Sequence, residues 1–130
     1  MSELSKLPPM ELGYPRTELR RRLVAAALSG EKTATSSLRA EYELDGERLP
    51  RVGERLLLQG YDNDPVAVIE TVEVRVLRIA DVDLSFARDE GEGFISLQAW
   101  RSAHEAFWGG HQITDDTLVV AERFRVVERL

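Results

Sequence analysis

The chain has 130 residues, 43% hydrophobic and 31% charged, with a net charge of −6, a pI near 5.0 and no cysteine. That is the size and balance of one soluble globular domain, and it excludes disulfides and thiolate metal sites. Acidity argues against non-specific coating of nucleic acid, which is driven by Lys and Arg displacing counterions from phosphates. No apolar run approaches bilayer-spanning length and residues 1–14 lack the features of a secretory signal, so a cytoplasmic protein with no membrane association is expected.

Residues 1–13, with Pro8 and Pro9, read as a poorly ordered lead-in, and residues 14–130 as a single domain. Leu19, Leu23, Ala26 and Ala27 recur at helical spacing, which predicts a helix from Thr17, its N-cap, to Ser29, stopped by Gly30 in a left-handed conformation. Arg20, Arg21 and Arg22 are expected to face water on that helix. Arg16, Arg20, Lys32 and Arg39 are the candidates for a local basic patch. The run Gly30-Glu31-Lys32-Thr33-Ala34-Thr35-Ser36 then sets one cation and three hydroxyls at the end of a rigid element, the usual mounting for a binding or catalytic loop. It is not a phosphate-cradling P-loop, because Glu31 stands between Gly30 and Lys32 and the earlier glycine is missing.

A helical turn is predicted over Leu38–Leu44, and a turn at Pro50–Glu54 leads into a strand through Leu56, Leu57 and Leu58. Asp62-Asn63-Asp64-Pro65 predicts a hairpin. The even spacing of Val66, Val68, Val72, Val74 and Val76 predicts a long strand over Val66–Ile79. A polar segment, Phe86 to Gly93, precedes a helix starting near Ser96, in which Leu97, Trp100, His104, Phe107 and Trp108 share one face. Helical spacing favours core packing over a base-stacking platform there, with His104 a core or pocket-edge histidine. His104, His111, Asp115 and Asp116 make no recognisable metal-ligand set, so neither metal nor cofactor is expected. Leu118, Val120, Phe124 and Val126 alternate in a closing strand. Helices among long strands joined by tight turns predict an α+β fold, with a largely antiparallel sheet curled into a small barrel flanked by helices.

The ordered set of Gly30-Glu31-Lys32-Thr33-Ala34-Thr35, Leu49-Pro50-Arg51-Val52-Gly53, the valine strand, Glu90-Gly91-Glu92-Gly93, Trp100-Arg101 with His104, and Glu122-Arg123-Phe124 resembles the ASCH domain family from about Tyr14 onward. The resemblance implies a PUA-like β-barrel with a cleft associated with RNA or nucleoside chemistry. Some members of the broader family are amidohydrolases acting on acetylated cytidine, others are linked to RNA cleavage, and many have no assigned activity. By motif, the amidohydrolase residues fall on Lys32, Thr35 and Glu90. Thr33, Ser36, Arg39, Glu92, Trp100 and His104 complete the candidate substrate contacts. The link from Trp108 to Thr114 is short for the amidohydrolase branch, and the Glu-Gly-Glu-Gly segment resembles the branch of unassigned activity.

Amide hydrolysis needs a nucleophile, a group to manage its proton and a donor for the developing oxyanion. Thr35 is the candidate nucleophile. A carboxylate near Lys32 favours its charged form, which makes Lys32 the electrophilic stabiliser and Glu90 the base, with Asp89 and Glu92 raising the Glu90 pKa. Lys32 and Thr35 share a face only if the loop turns like a helix; in an extended strand Thr33 or Ser36 takes the place of Thr35. Two further readings use the same cleft, a non-catalytic module for single-stranded RNA and a metal-independent ribonuclease.

Overall fold

The computed structural model describes residues 6–109 and 111–130. Residues 1–5 of the expected lead-in, and Gly110 in the link between Trp108 and Thr114, lie outside the described residues. In chain order the elements are β1 (Pro9–Met10), α1 (Glu18–Ser29), β2 (Ala34–Leu38), α2 (Arg39–Asp45), β3 (Arg55–Gln59), β4 (Pro65–Arg78), α3 (Leu84–Asp89), α4 (Leu97–Phe107) and β5 (Leu118–Arg129). The strands form one sheet in the order β1-β3-β4-β5-β2. β1 runs parallel to β3, and every other pair is antiparallel. The α+β class stands, but the pairing among the described residues leaves β1 and β2 as free edges, so the sheet is open and closure into a barrel is not shown. No helix among the described residues is long and apolar enough to cross a membrane.

The caps of α1 are those its sequence predicts. The Thr17 hydroxyl accepts from the Arg20 amide, and Gly30 takes φ +89°, a conformation that costs glycine nothing. One expectation about this helix is overturned. Arg20 does not face water; it is fully buried, in phase with Leu23, Val24 and Ala27. Its guanidinium donates to the carbonyls of Gly60 and Gly13, to Asn63 Oδ1 and to Glu11, over distances of 2.9–3.1 Å. Those acceptors offset the desolvation that would otherwise keep an arginine at the surface.

The core has two parts, one on each face of the sheet. Leu23, Val24 and Ala27 of α1 pack with Leu12, Leu58, Ile69 and Phe124. Phe86, Trp100 and Trp108 pack with Ala34, Leu38, Val119 and Ala121. β5 is therefore buried on both sides between Val119 and Phe124, as a central strand should be. The expected alternation of Leu118, Val120, Phe124 and Val126 captured one face only, and Leu118 is exposed.

Two helices differ from expectation. The segment read as polar, Phe86 to Gly93, begins inside α3, which Asp83 caps by accepting from the Phe86 amide. α4 starts where expected, with Ser96 as its N-cap, and Trp100 and His104 are buried, whereas Leu97 and Phe107 lie outside the core. Pro9 and Met10, within the expected lead-in, pair with Leu57 and Leu58, and Leu12 is buried.

Candidate functional site

The loop after α1 is fastened by backbone bonds to α1 itself, to the end of α3 and to β5. The Lys32 amide donates to the Ala26 carbonyl at 3.0 Å, the Thr33 amide to the Asp89 carbonyl at 2.8 Å, and the Phe124 amide to the Thr33 carbonyl at 3.0 Å. Gly91 makes this approach possible. Its φ is +73°, and a Cβ there would stand 2.7 Å from Lys32 Cα and 2.8 Å from the Glu31 carbonyl oxygen. Lys32 and Glu90, 58 positions apart, are thereby neighbours: Lys32 Nζ donates to the Glu90 main-chain carbonyl at 3.1 Å and to the Ala34 carbonyl at 2.8 Å.

The buried Glu90 carboxylate accepts from three side chains. Ser36 Oγ lies 3.1 and 3.3 Å from its two oxygens, the Trp100 indole N–H donates to it, and His104 Nε2 lies 3.3 Å away. His104 Nδ1 meets the Trp100 carbonyl at 2.8 Å. Both ring nitrogens thus face acceptors, which favours the imidazolium. Burial pushes the His104 pKa down, but the hydrogen bond to Glu90 and its charge outweigh burial and hold it above its ordinary value.

Burial pushes the Glu90 carboxyl up, but His104, Lys32 and Trp100 together hold it below the usual carboxylate range. The expected raised Glu90 is therefore corrected. Asp89 does not press on it either, because the Asp89 carboxylate is taken by Arg123 at 2.5 Å. The raised carboxyl is Glu92, through burial first and the charge of Glu90 second, against the opposing charge of Lys32. Lys32 also departs from expectation: burial lowers its pKa by more than Glu90 and Glu92 raise it. The Ala34 and Glu90 carbonyls accept two of the Lys32 N–H bonds.

These groups line a cleft of about 490 Å³. Lys32, Thr35, Ser36, Glu90, Glu92 and His104 contribute its polar wall, and Tyr14, Phe94, Phe107 and Trp108 its aromatic one. Thr35, Ser36 and Ser37 all reach it in succession because β2 is an edge strand. Within that extended strand it is Ser36 that meets Glu90, while Thr35 stands opposite Glu122 of β5 and also lines a second cavity. The remaining candidates fall elsewhere. Trp100 is buried beneath Glu90, Arg39 pairs with Glu43 at 3.6 Å, and Thr33 is held through its backbone.

Ligand atoms of Glu90, Glu92 and His104 lie within 4.8 Å of one another, a grouping with metal-ligand character that the sequence did not reveal. A cation there would have to displace the proton between His104 and Glu90, and it would compete with the Ser36 and Trp100 donors. The aromatic wall was also missed, since Tyr14 precedes the first long helix and Phe94 lies in a loop. Glu122 did leave a signal, a charge standing in phase with Val120 and Phe124.

A family model described as ASCH domain matches residues 12–128. The crystal structure of protein EF3133 from Enterococcus faecalis V583 superposes with a TM-score of 0.85 at 30% identity, over 94% of this chain and 77% of that one. The ASCH domain from Lactobacillus crispatus JV V101 superposes with a TM-score of 0.84 at 29% identity, over 98% of this chain and 84% of that one. No curated protein matches the chain significantly.

Proposed function

This chain belongs to the ASCH domain family, and on that premise we propose that its aromatic-walled cleft binds a modified nucleoside and hydrolyses an amide on it, an acylated cytidine being the leading substrate. The family is linked to RNA-related and hydrolase-like roles. The observation that carries the finer reading is the meeting of Lys32, Thr35, Glu90 and Glu92 with Tyr14, Phe94 and Phe107 around one cleft. Aromatic walls suit the flat face of a base, and the polar wall supplies the groups that amide cleavage requires.

The electrostatics exchange two of the roles the sequence suggested. Glu90, ionised and saturated with donors, is a poor base; it fixes His104 and Ser36 and supports the Lys32 loop through its main-chain carbonyl. Lys32, whose pKa burial lowers, releases its proton more readily than a solvated lysine, and in its uncharged form it acts as the base. Thr35 reaches the cleft although β2 is extended, and with Ser36 Oγ committed to Glu90 it is Thr35 Oγ1 that attacks the amide carbon as its proton passes to Lys32. The ammonium returns that proton to the leaving nitrogen as the C–N bond breaks; water then attacks the acyl carbon, Lys32 taking its proton and passing it to Thr35 Oγ1 as the acyl–oxygen bond breaks. Glu92, whose carboxyl is held toward its protonated form, is the donor for the developing oxyanion.

The test is turnover of a panel of acylated nucleosides by the wild type and by Thr35→Ala, Lys32→Ala and Lys32→Arg. All three variants should lose about two or more orders of magnitude in kcat. Arginine keeps the charge but cannot accept the proton. Residual activity in Lys32→Arg would return Lys32 to a purely electrostatic role. No turnover above background by folded wild type would remove the hydrolase reading.

A further inference from the structure

A second cavity of about 570 Å³ adjoins the first, with Glu11, Leu12, Thr35 and Ser37 lining both. At its wall stands Glu122, paired in register with Thr35 across β2 and β5. Glu122 is only 7% exposed. The groups that act on its carboxyl are the Glu54 charge and the Tyr42 hydroxyl, and no Lys or Arg pairs with it among the described residues. Arg48, the one basic side chain among the described residues that lines this cavity, is ion-paired with Glu54. Glu11 is engaged by the buried Arg20, and Glu47 adds further negative charge. When ionised, a buried carboxylate that faces an open cavity with no cation paired to it is an incomplete pair.

We propose that this cavity is a binding site for a small organic cation, a primary amine or guanidinium, whose N–H groups bond to the Glu122 carboxylate while its methylene groups lie along Met10, Pro50 and Leu56. Phosphate-bearing ligands are excluded by the surplus of carboxylates. The site does not depend on the amide-hydrolase reading, because Glu122 has no part in that chemistry.

The probe is agmatine, which carries both cationic groups on a four-carbon chain. Titration calorimetry on the wild-type protein at pH 8 should give a sub-millimolar Kd. Affinity should fall about tenfold or more by pH 5.5, as Glu122 takes up a proton in its setting of Tyr42, Glu47, Arg48, Glu54 and Glu11. Glu122→Gln, near-isosteric, should weaken binding at least tenfold at pH 8 and flatten the pH dependence. A readout that needs no variant is amide chemical shifts in the wild type, where agmatine should move Thr35, Tyr42 and Glu122 more than Lys32 or His104. The proposal is overturned by absence of millimolar binding at pH 8, by a Glu122→Gln affinity equal to wild type, or by shifts centred on the Lys32 cleft.

Discussion

Glu122 carries a second consequence, for stability, because burial and the charge of Glu54 raise its pKa from 4.5 to about 7. In the unfolded chain the proton leaves near the ordinary value, so between about pH 4.5 and 7 the folded state holds more protons than the unfolded one. Stability therefore falls as pH rises through that window. Glu122→Gln should remove its share of that slope and stabilise the protein at pH 8 by on the order of 1–3 kcal/mol. Urea unfolding at a series of pH values would measure both, and a variant less stable than wild type at pH 8 would contradict the assignment. A different prediction concerns the grouping of Glu90, Glu92 and His104. With Trp100, Ser36 and His104 satisfying the Glu90 carboxylate, turnover should be unchanged after dialysis against a chelator. Loss of turnover restored by zinc or manganese would identify that grouping as a metal centre.

At the scale of elements, the contact between the Lys32 loop and the end of α3 depends on Gly91. Gly91→Ala would place a methyl group 2.7 Å from Lys32 Cα on a backbone with φ +73°. It should cost about 1–3 kcal/mol, read in urea unfolding. Activity should fall as well, because separating the two segments would take the Glu90 carbonyl from Lys32 Nζ; an active, equally stable variant would show that this contact does not matter. The elements that were legible in sequence are those whose cause is local. α1 announced itself through Thr17, the apolar repeat and Gly30, and α4 through Ser96 and the spacing of Trp100, His104 and Trp108. α3 was not legible, since its six residues are too few to show a helical period. The site was half legible. Lys32 and Glu90 came from motif resemblance, but their protonation follows from desolvation and from donors on α4 and β2, which no local pattern encodes. Arg20 was misread because the acceptors at Gly60 and Asn63 lie 40 and 43 positions away.

For the whole molecule, the charge that matters to RNA is what remains after internal pairing. Arg21 pairs with Glu18, Arg39 with Glu43, Arg48 with Glu54, Arg78 with Asp81 and Asp116, Arg101 with Glu105 and Asp115, and Arg125 with Glu70. Such pairs add little to stability when exposed, but each sets a carboxylate beside a guanidinium that would otherwise attract phosphate. With a net charge of −6, binding to unmodified single-stranded RNA should be weak at physiological salt. Its salt dependence should correspond to about two phosphates or fewer, at roughly 0.7 in log–log slope for each. Fluorescence anisotropy across a salt series would decide, and a steep slope with submicromolar affinity would favour the RNA-binding module over the hydrolase.

The buried Arg20 ties three stretches of chain that are remote in sequence, at Glu11–Gly13, along α1 and at Gly60–Asn63. Opening any one of them strands a guanidinium in the interior, so the three should exchange their amide hydrogens with solvent as one cooperative unit rather than fraying separately. Because Glu11, Gly13 and Leu23 also line the Lys32 cleft, a molecule seated there would slow exchange in the distant β3–β4 turn. Occupancy could then be followed by deuterium uptake at Tyr61 to Asn63, in a turn that does not line the cleft.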